Sequence, residues 1–241
     1  MPILNLEDLS LDTPIYRIMK FEHVVGLFET AQNVLVPPRK WEDPFENFIL
    51  KSPVGISGEL GDFAFHDDFY GQCWTLHTAS DAMWRIYSPT NRAIRLKTTI
   101  RKLYEGLNVH VGGEGPFAHI GKVRYLKKGA LGAYLDGGVS LETDASGIAD
   151  TLLVKRWAFQ HEKEVRLLHQ VRPGAAKPEI YRYPVAPHIL VEQMMIDPRL
   201  DKKEADLYKK VLRYCTNFKG DIKRSLLYAP PKGYTTKIAT A

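Results

Sequence analysis

Residues 154–170, "VKRWAFQHEKEVRLLHQ", constrain the fold more than any other stretch of this 241-residue chain. From Glu162 onward they read as a strand in which Val165 and Leu167 alternate with Glu164, Arg166 and Leu168. Side chains two apart on a strand share a face, so such a strand sets Glu162, Glu164 and Arg166 in one row. Adjacent carboxylates repel, and one of them then carries a raised pKa. A guanidinium in the same row offsets part of that repulsion. Two settings fit the row. It lies on a solvated edge as a surface ion pair of little energetic weight, or it faces a cleft. In a cleft it orients a ribose hydroxyl, holds a divalent metal or stabilises a developing cation.

The flanking segments supply strands and helices without the regular alternation of a doubly wound sheet. "TPIYRIM" reads as a strand, "KFEHVVGLFETAQ" as an amphipathic helix with apolar residues at 21, 24, 25 and 28, and "NVLVPP" as a strand stopped by prolines. "YGQCWTLHT", "GKVRYLKK" and "ILVEQMMIDP" read as further strands, "RAIRLKTTI" as a strand or a strand–helix junction, and "KRSLLYAPP" as a last short strand plus a loose tail. "SDAMWRIYS" reads as a helix capped by Ser80, and "IADTLLVKRWAF" as another. The clearest helix is "DKKEADLYKKVLRYCTNF", with Asp201 as cap and Ala205, Leu207, Tyr208, Val211 and Leu212 as an apolar stripe. Residues 52–68, rich in Gly, Ser and Asp, read as a flexible excursion. The fold expected is α+β: one mixed domain over 1–241, with a central, largely antiparallel sheet and flanking helices. Its core spans roughly 13–228, between flexible tails.

Composition narrows the function classes. With 44% hydrophobic and 25% charged residues the chain is of globular type. Two cysteines, Cys73 and Cys215, make neither a disulfide framework nor a four-thiolate zinc site, which points to a reducing, cytoplasmic setting. The acidic start "MPILNLEDLSLD" lacks the features of a signal peptide, and no apolar run is long enough to span a bilayer, so no membrane partner is expected. A formal charge of +5 suits an anionic ligand, nucleic acid included. The eight histidines form no metal-ligand pattern, Cys73 has no His–Asp partner set, and "GGEGPF" is not a P-loop.

Other segments add candidates. Arg17, beside Tyr16 on the first strand, needs a carboxylate or an anionic ligand if it is buried; Glu162 or Glu164 is the partner at hand. Trp84 and Tyr87, three apart on a helix, share a face and serve either core packing or ring stacking. In "RKWEDPFE", Trp41 and Phe45 anchor a loop while Asp43 and Glu46 face outward.

Taken in order, "IYRIM", "WEDPFE", "QCWTLHTASDAMWRIYS" and "KRWAFQHEKEVRLL" resemble the bacterial family known as domain of unknown function 2971. The order of blocks covers most of residues 15–170. Glu42 replaces the family's usual Asn, Trp74–Thr75 replace Phe-Ser, and one extra residue follows Trp157 before the Glu-x-Glu. The same order more loosely resembles ADP-ribosyltransferases of the Arg–Ser–Glu type. That resemblance implies an enzyme consuming NAD, with a macromolecular acceptor and a conflict or defence setting. It assigns Arg17 to NAD phosphate, Thr75 to the nicotinamide pocket, Glu164 to the ribose and the oxocarbenium-like transition state, and Glu162 to the acceptor. Tyr87 or Trp84 then stacks on nicotinamide. No metal is implied.

Three classes of function make different demands on geometry. A transferase needs Arg17 and Glu164 in one cleft. A metal-dependent nuclease using Asp43, Glu46, Glu162 and Glu164 needs three or more carboxylates with no Arg between them. A non-catalytic sensor needs a buried, paired network with no cleft. On the transferase reading Tyr16, Arg17, Asp43, Trp84, Tyr87, Glu162, Glu164 and Arg166 converge. Oligomeric state is not legible in the sequence.

Overall fold

One strand, Glu164–Gln170, is buried on both faces and organises the rest of the molecule. The computed structural model describes residues 3–41, 43, 54–56, 59–61, 67–112, 117–137, 146–172, 174–229 and 233. The chain begins with β1 (Ile3–Leu4), β2 (Pro14–Met19), α1 (Phe21–Thr30) and β3 (Gln32–Leu35). Two short strands, β4 (Val54–Ile56) and β5 (Glu59–Gly61), precede β6 (Phe69–Thr75), α2 (Asp81–Tyr87), β7 (Ile94–Thr99) and α3 (Ile100–His110). Next come β8 (Ala118–Lys122), β9 (Arg124–Leu126), α4 (Lys128–Asp136), α5 (Ser146–Thr151) and β10 (Val154–Arg156). A 3-10 turn, Trp157–Glu162, leads into β11 (Glu164–Gln170). The chain then forms β12 (Tyr181–Pro184), α6 (Pro187–Leu190), β13 (Gln193–Ile196), α7 (Lys202–Thr216) and β14 (Asp221–Arg224).

Among the described residues the main sheet has eight strands in the order β1-β8-β11-β6-β2-β7-β13-β14. Its outermost pairs, β1–β8 and β13–β14, are parallel, and the pairs between them are antiparallel. The mixed α+β fold with flanking helices is therefore as the sequence predicts. The larger apolar cluster joins Ile15, Tyr70, Trp74, Leu96, Val165 and Leu167 to Leu103 and Leu107 of α3 and Ala205 and Leu212 of α7. A second cluster, on the opposite face of β11, gathers Phe69 and Leu168 with Ile148, Leu152 and Leu153 around α5. No helix of the described residues is long and apolar enough to cross a membrane.

The middle of the sheet contains a notch. Strand β6 pairs with β11 along its whole length, but with β2 only at Tyr16↔Thr75. Four residues earlier, Gly71 forms an isolated bridge to Val36, just past β3. Between those two points β2 and β6 part.

Local signals explain most elements. The Ser80 hydroxyl accepts from the Met83 N–H at 3.3 Å and starts α2. Asp201 and Glu204 form a full capping box on α7. The α7 stripe is narrower than its sequence predicts: Ala205 and Leu212 are buried, whereas Leu207 and Val211 are exposed. The helix expected over "IADTLLVKRWAF" is overturned. It ends at Thr151, and Val154–Arg156 pairs in parallel with β9. The expected strand through Glu162 also starts later, because Lys163 adopts the left-handed conformation at φ 44° and ends the 3-10 turn. Helix α3 begins at Ile100, the last residue of "RAIRLKTTI", so that stretch is a strand–helix junction. Part of the excursion expected at 52–68 forms the β4–β5 pair; residues 52, 53, 57, 58 and 62–66 lie outside the described residues.

Candidate active site

The two carboxylates do meet, but by a different route from strand alternation. Glu164 is the first residue of β11 and Glu162 the last of the 3-10 turn, both 5% exposed. Lys155 of β10 reaches between them, its Nζ donating to Glu162 Oε2 and, at 2.8 Å, to Glu164 Oε1. Arg166 continues the row on β11, as the period of two requires, and its Nε donates to Glu164 Oε2 at 2.8 Å. Arg166 is fully buried, donates through Nη1 to the Leu152 carbonyl at 2.7 Å and stacks 4.5 Å from the centre of the Trp41 ring. Trp41 gains that position because residue 71 is glycine; a Cβ there would lie 2.6 Å from the indole.

Two carboxylates and two cations make this cluster formally neutral, which is how ionised groups persist in a buried strand. Burial and the neighbouring Glu164 push the Glu162 carboxyl up to about 7, against the pull of Lys155. Burial acts the same way on Glu164, but Arg166, Glu162 and Lys155 outweigh it and hold that carboxyl well below its usual range. One acid of the pair is thus a fixed anion and the other sits near its titration point. Tyr87 O–H donates to Glu162 Oε1 at 3.2 Å, and Thr75 Oγ1 donates to the Glu162 carbonyl at 2.6 Å. The Glu164 N–H donates to the Tyr125 hydroxyl at 2.9 Å.

The notch between β2 and β6 holds a cavity of about 140 Å³ beside this cluster. It is lined by Tyr16, Arg17, Ile18, Cys73, Trp74, Thr75, Met83, Tyr87 and Glu164. Tyr16 pairs with Thr75 and so faces the carboxylate side of the sheet, while alternation turns Arg17 towards the other face. The parting of the strands is what lets both reach one cavity. Burial lowers the pKa of the Arg17 guanidinium, and the groups nearest it electrostatically are Cys73, Tyr183 and Tyr87. Among the described residues no carboxylate pairs with Arg17, so Glu162 and Glu164 are not its partners; Lys155 and Arg166 hold them instead.

The structure therefore brings together Tyr16, Arg17, Thr75, Tyr87 and Glu164 on one cavity, with Glu162 and Arg166 bonded directly behind it. It separates two candidates. Trp84 is 1% exposed and does not line the cavity; Met83, its neighbour on α2, does. Asp43 does not face outward: it is buried and accepts from Arg156 Nη2 at 2.8 Å. Glu42, Pro44, Phe45 and Glu46 lie outside the described residues. Sequence reasoning missed Lys155, because a helix over 148–159 hid a strand. The available signal was the need of two buried carboxylates for a second cation, and "LLVKRW" offers one directly after an apolar run. Among the described residues no three His, Cys, Asp or Glu side chains are grouped to hold a metal ion.

Fold and site together define an α+β protein whose central strand carries an ion-paired Glu-x-Glu beside a small notch cavity. No family model matches the chain, and no curated protein matches it in sequence. The resemblance to domain of unknown function 2971 thus rests on its motifs alone. Solved structures of Thermus sp. 2.9 DarT superpose on it in part. The complex with carba-NAD+ matches at 13% identity and a TM-score of 0.37, covering 90% of this chain and 97% of that one. The complex with NAD+ matches at 14% and 0.38, over 90% and 96%. The complex with ADP-ribosylated ssDNA matches at 14% and 0.39, over 93% and 98%. Overlap at that level does not define a shared fold.

Proposed function

We propose that this chain is an ADP-ribosyltransferase-like enzyme that consumes NAD and transfers ADP-ribose to a macromolecular acceptor. The observation that carries the reading is the shared cavity: Arg17, a cation with no carboxylate partner among the described residues, and Glu164, a fixed anion, line one notch. A cation and an anion on one cavity suit a ligand with a phosphate and a carbon that turns positive during reaction.

At about 140 Å³ the cavity is smaller than the roughly 300–1,000 Å³ of pockets for whole drug-sized ligands. It suits one ring, nicotinamide, between Tyr87, Met83 and Thr75, with the ribose and nearer phosphate against Glu164 and Arg17 and the adenosine outside the notch. Arg17 binds the nearer phosphate. As the ribose C1′–N bond breaks, nicotinamide leaves with the bonding electrons and positive charge grows on the ribose. Glu164 faces that charge; a buried, preorganised carboxylate stabilises it without reorganising. A carboxylate has about four acceptor sites, and Lys155 and Arg166 use two of them on Glu164, so ribose hydroxyls find acceptors there. A nucleophilic oxygen or nitrogen of the acceptor bonds to C1′ and passes its proton to Glu162, whose pKa suits a base near neutrality.

The metal-dependent nuclease reading is the weaker one, since Lys155 and Arg166 already neutralise the Glu162–Glu164 pair and stand where a metal cation would be drawn. The sensor reading lacks a use for the cavity. Calorimetry with NAD and Arg17→Ala tests the proposal. The variant, folded by circular dichroism, loses about tenfold or more in affinity, as expected for one charge-assisted contact to phosphate. Equal affinity in both proteins removes Arg17 from the site.

A further inference from the structure

Helix α7 is apolar on two opposite sides. Ala205 and Leu212 face the core, as an amphipathic helix requires. On the far side Leu207, Val211 and Tyr214 are 64%, 40% and 90% exposed. Spacings of four and three set these side chains in one contiguous row. That spacing is the d-a-d order of a coiled-coil seam, with Leu207 and Tyr214 at d and the β-branched Val211 at a. A lone exposed leucine means little, but a contiguous apolar row rimmed by charge reads as a contact surface. In the same heptad Lys203 and Lys210 fall at g, and Tyr208 and Cys215 at e. Both lysines are exposed, and among the described residues neither has a carboxylate partner. Glu204, at the a position before Leu207, is turned back to the Asp201 N–H in the capping box. The seam therefore carries positive charge along one rim and no anion at e or g.

We propose that this face docks an amphipathic helix of another protein whose e or g positions are acidic. Charge selects that occupant over a second copy of this chain. Two copies of α7 packed antiparallel set g against g, lysine against lysine; packed parallel they set g against e, lysine against Tyr208 or Cys215. Neither arrangement supplies an anion. An anionic membrane would also meet the lysines, but an interfacial helix buries its apolar face in the lipid boundary. One apolar side of α7 is already buried in the core, which leaves only a narrow row for any partner. A narrow row is what a facing helix covers. Among the described residues none of α7 lines the notch cavity, so docking leaves that site open and does not rest on the transferase reading.

Fluorescence anisotropy with labelled synthetic helices tests this. One peptide carries Leu at a and d and Glu at e and g; a second carries Lys at e and g; a third holds the residues of the first in scrambled order. The acidic peptide binds and the other two do not. Leu207→Ser and Tyr214→Ser, each folded by circular dichroism, weaken binding about tenfold or more, the weight of an interface anchor. Lys203→Glu combined with Lys210→Glu moves the preference to the basic peptide. No binding of the acidic peptide, or binding that survives both serine substitutions, overturns the proposal. Two measurements on the same proteins identify the rival occupants. A dimer in sedimentation velocity that Leu207→Ser dissolves makes the occupant a second copy. Pelleting with phosphatidylserine vesicles that Tyr214→Ser abolishes makes it a membrane. Either result overturns the proposal.

Discussion

Lys155 is the side chain on which the charge balance of the site depends. It sits between two carboxylates that burial alone would drive to protonate. Removing one partner of a buried ionic group costs about 3–5 kcal/mol, so Lys155→Met destabilises the protein by an amount of that order in urea unfolding. The loss is greater at pH 8 than at pH 5, where a proton replaces the missing cation. Glu162 carries its own pH signature. Burial and the neighbouring Glu164 raise its pKa to about 7, above the 4.5 of a free glutamate side chain. A raised acid pKa contributes stability that is full below about 4.5 and lost as pH rises to about 7. Glu162→Gln mimics the protonated form and escapes that loss, so its melting temperature rises relative to wild type between pH 5 and pH 8. A difference that stays constant with pH contradicts the assignment. Glu164, Arg166, Tyr16 and Arg17 were legible in the sequence because polar groups in apolar strands must find partners or ligands. Asp43 was misplaced outward because its partner, Arg156, is 113 positions away. No local pattern encodes such a contact.

The elements that carry these side chains were legible where periodicity and caps agree. Strands β2, β7 and β11 and helices α1, α2 and α7 all fall within the segments their sequences predict, and β6 starts one residue early, at Phe69. The last strand, Asp221–Arg224, overlaps "KRSLLYAPP" only at Lys223 and Arg224. A larger failure lies at 148–163, where "LLVKRWAF" is apolar enough for either helix or strand. Its outcome is decided by the parallel pairing of β10 with β9, a long-range contact. The left-handed Lys163 is the other hidden feature: it breaks the strand, so Glu162 reaches its partner through a turn. Trp84 and Met83 show the same limit on α2, since a helical wheel cannot say which neighbour faces a cavity. The packing of β6 against Trp41 is testable. In Gly71→Ala the new methyl meets the indole at 2.6 Å and Leu168 at 3.0 Å. Overpacking of this kind costs about 1–3 kcal/mol. The variant also shifts the Trp41 ring from Arg166, read as a change in tryptophan emission in the folded state.

Across the entire sheet, the feature that matters most is where two strands separate. Pairing orders all eight strands of the sheet without itself producing a site; the parting of β2 from β6 beyond Tyr16↔Thr75 creates one. That parting joins Arg17, from one face, to Glu164, from the other, and no reading of single segments shows it. The sequence carried the class of fold and the residues of the cluster except Lys155, while the cavity emerged only from tertiary geometry. The most direct measurement is nicotinamide release from NAD by wild type and by Glu164→Gln, alongside NAD affinity for both. Gln keeps size and hydrogen bonding but removes the anion that faces the developing charge. Wild type releases nicotinamide, and Glu164→Gln binds NAD with similar affinity but turns over about a hundredfold or more slowly, the usual weight of an electrostatic group in the transition state. Equal turnover by the two proteins, or no NAD binding by wild type, contradicts the account.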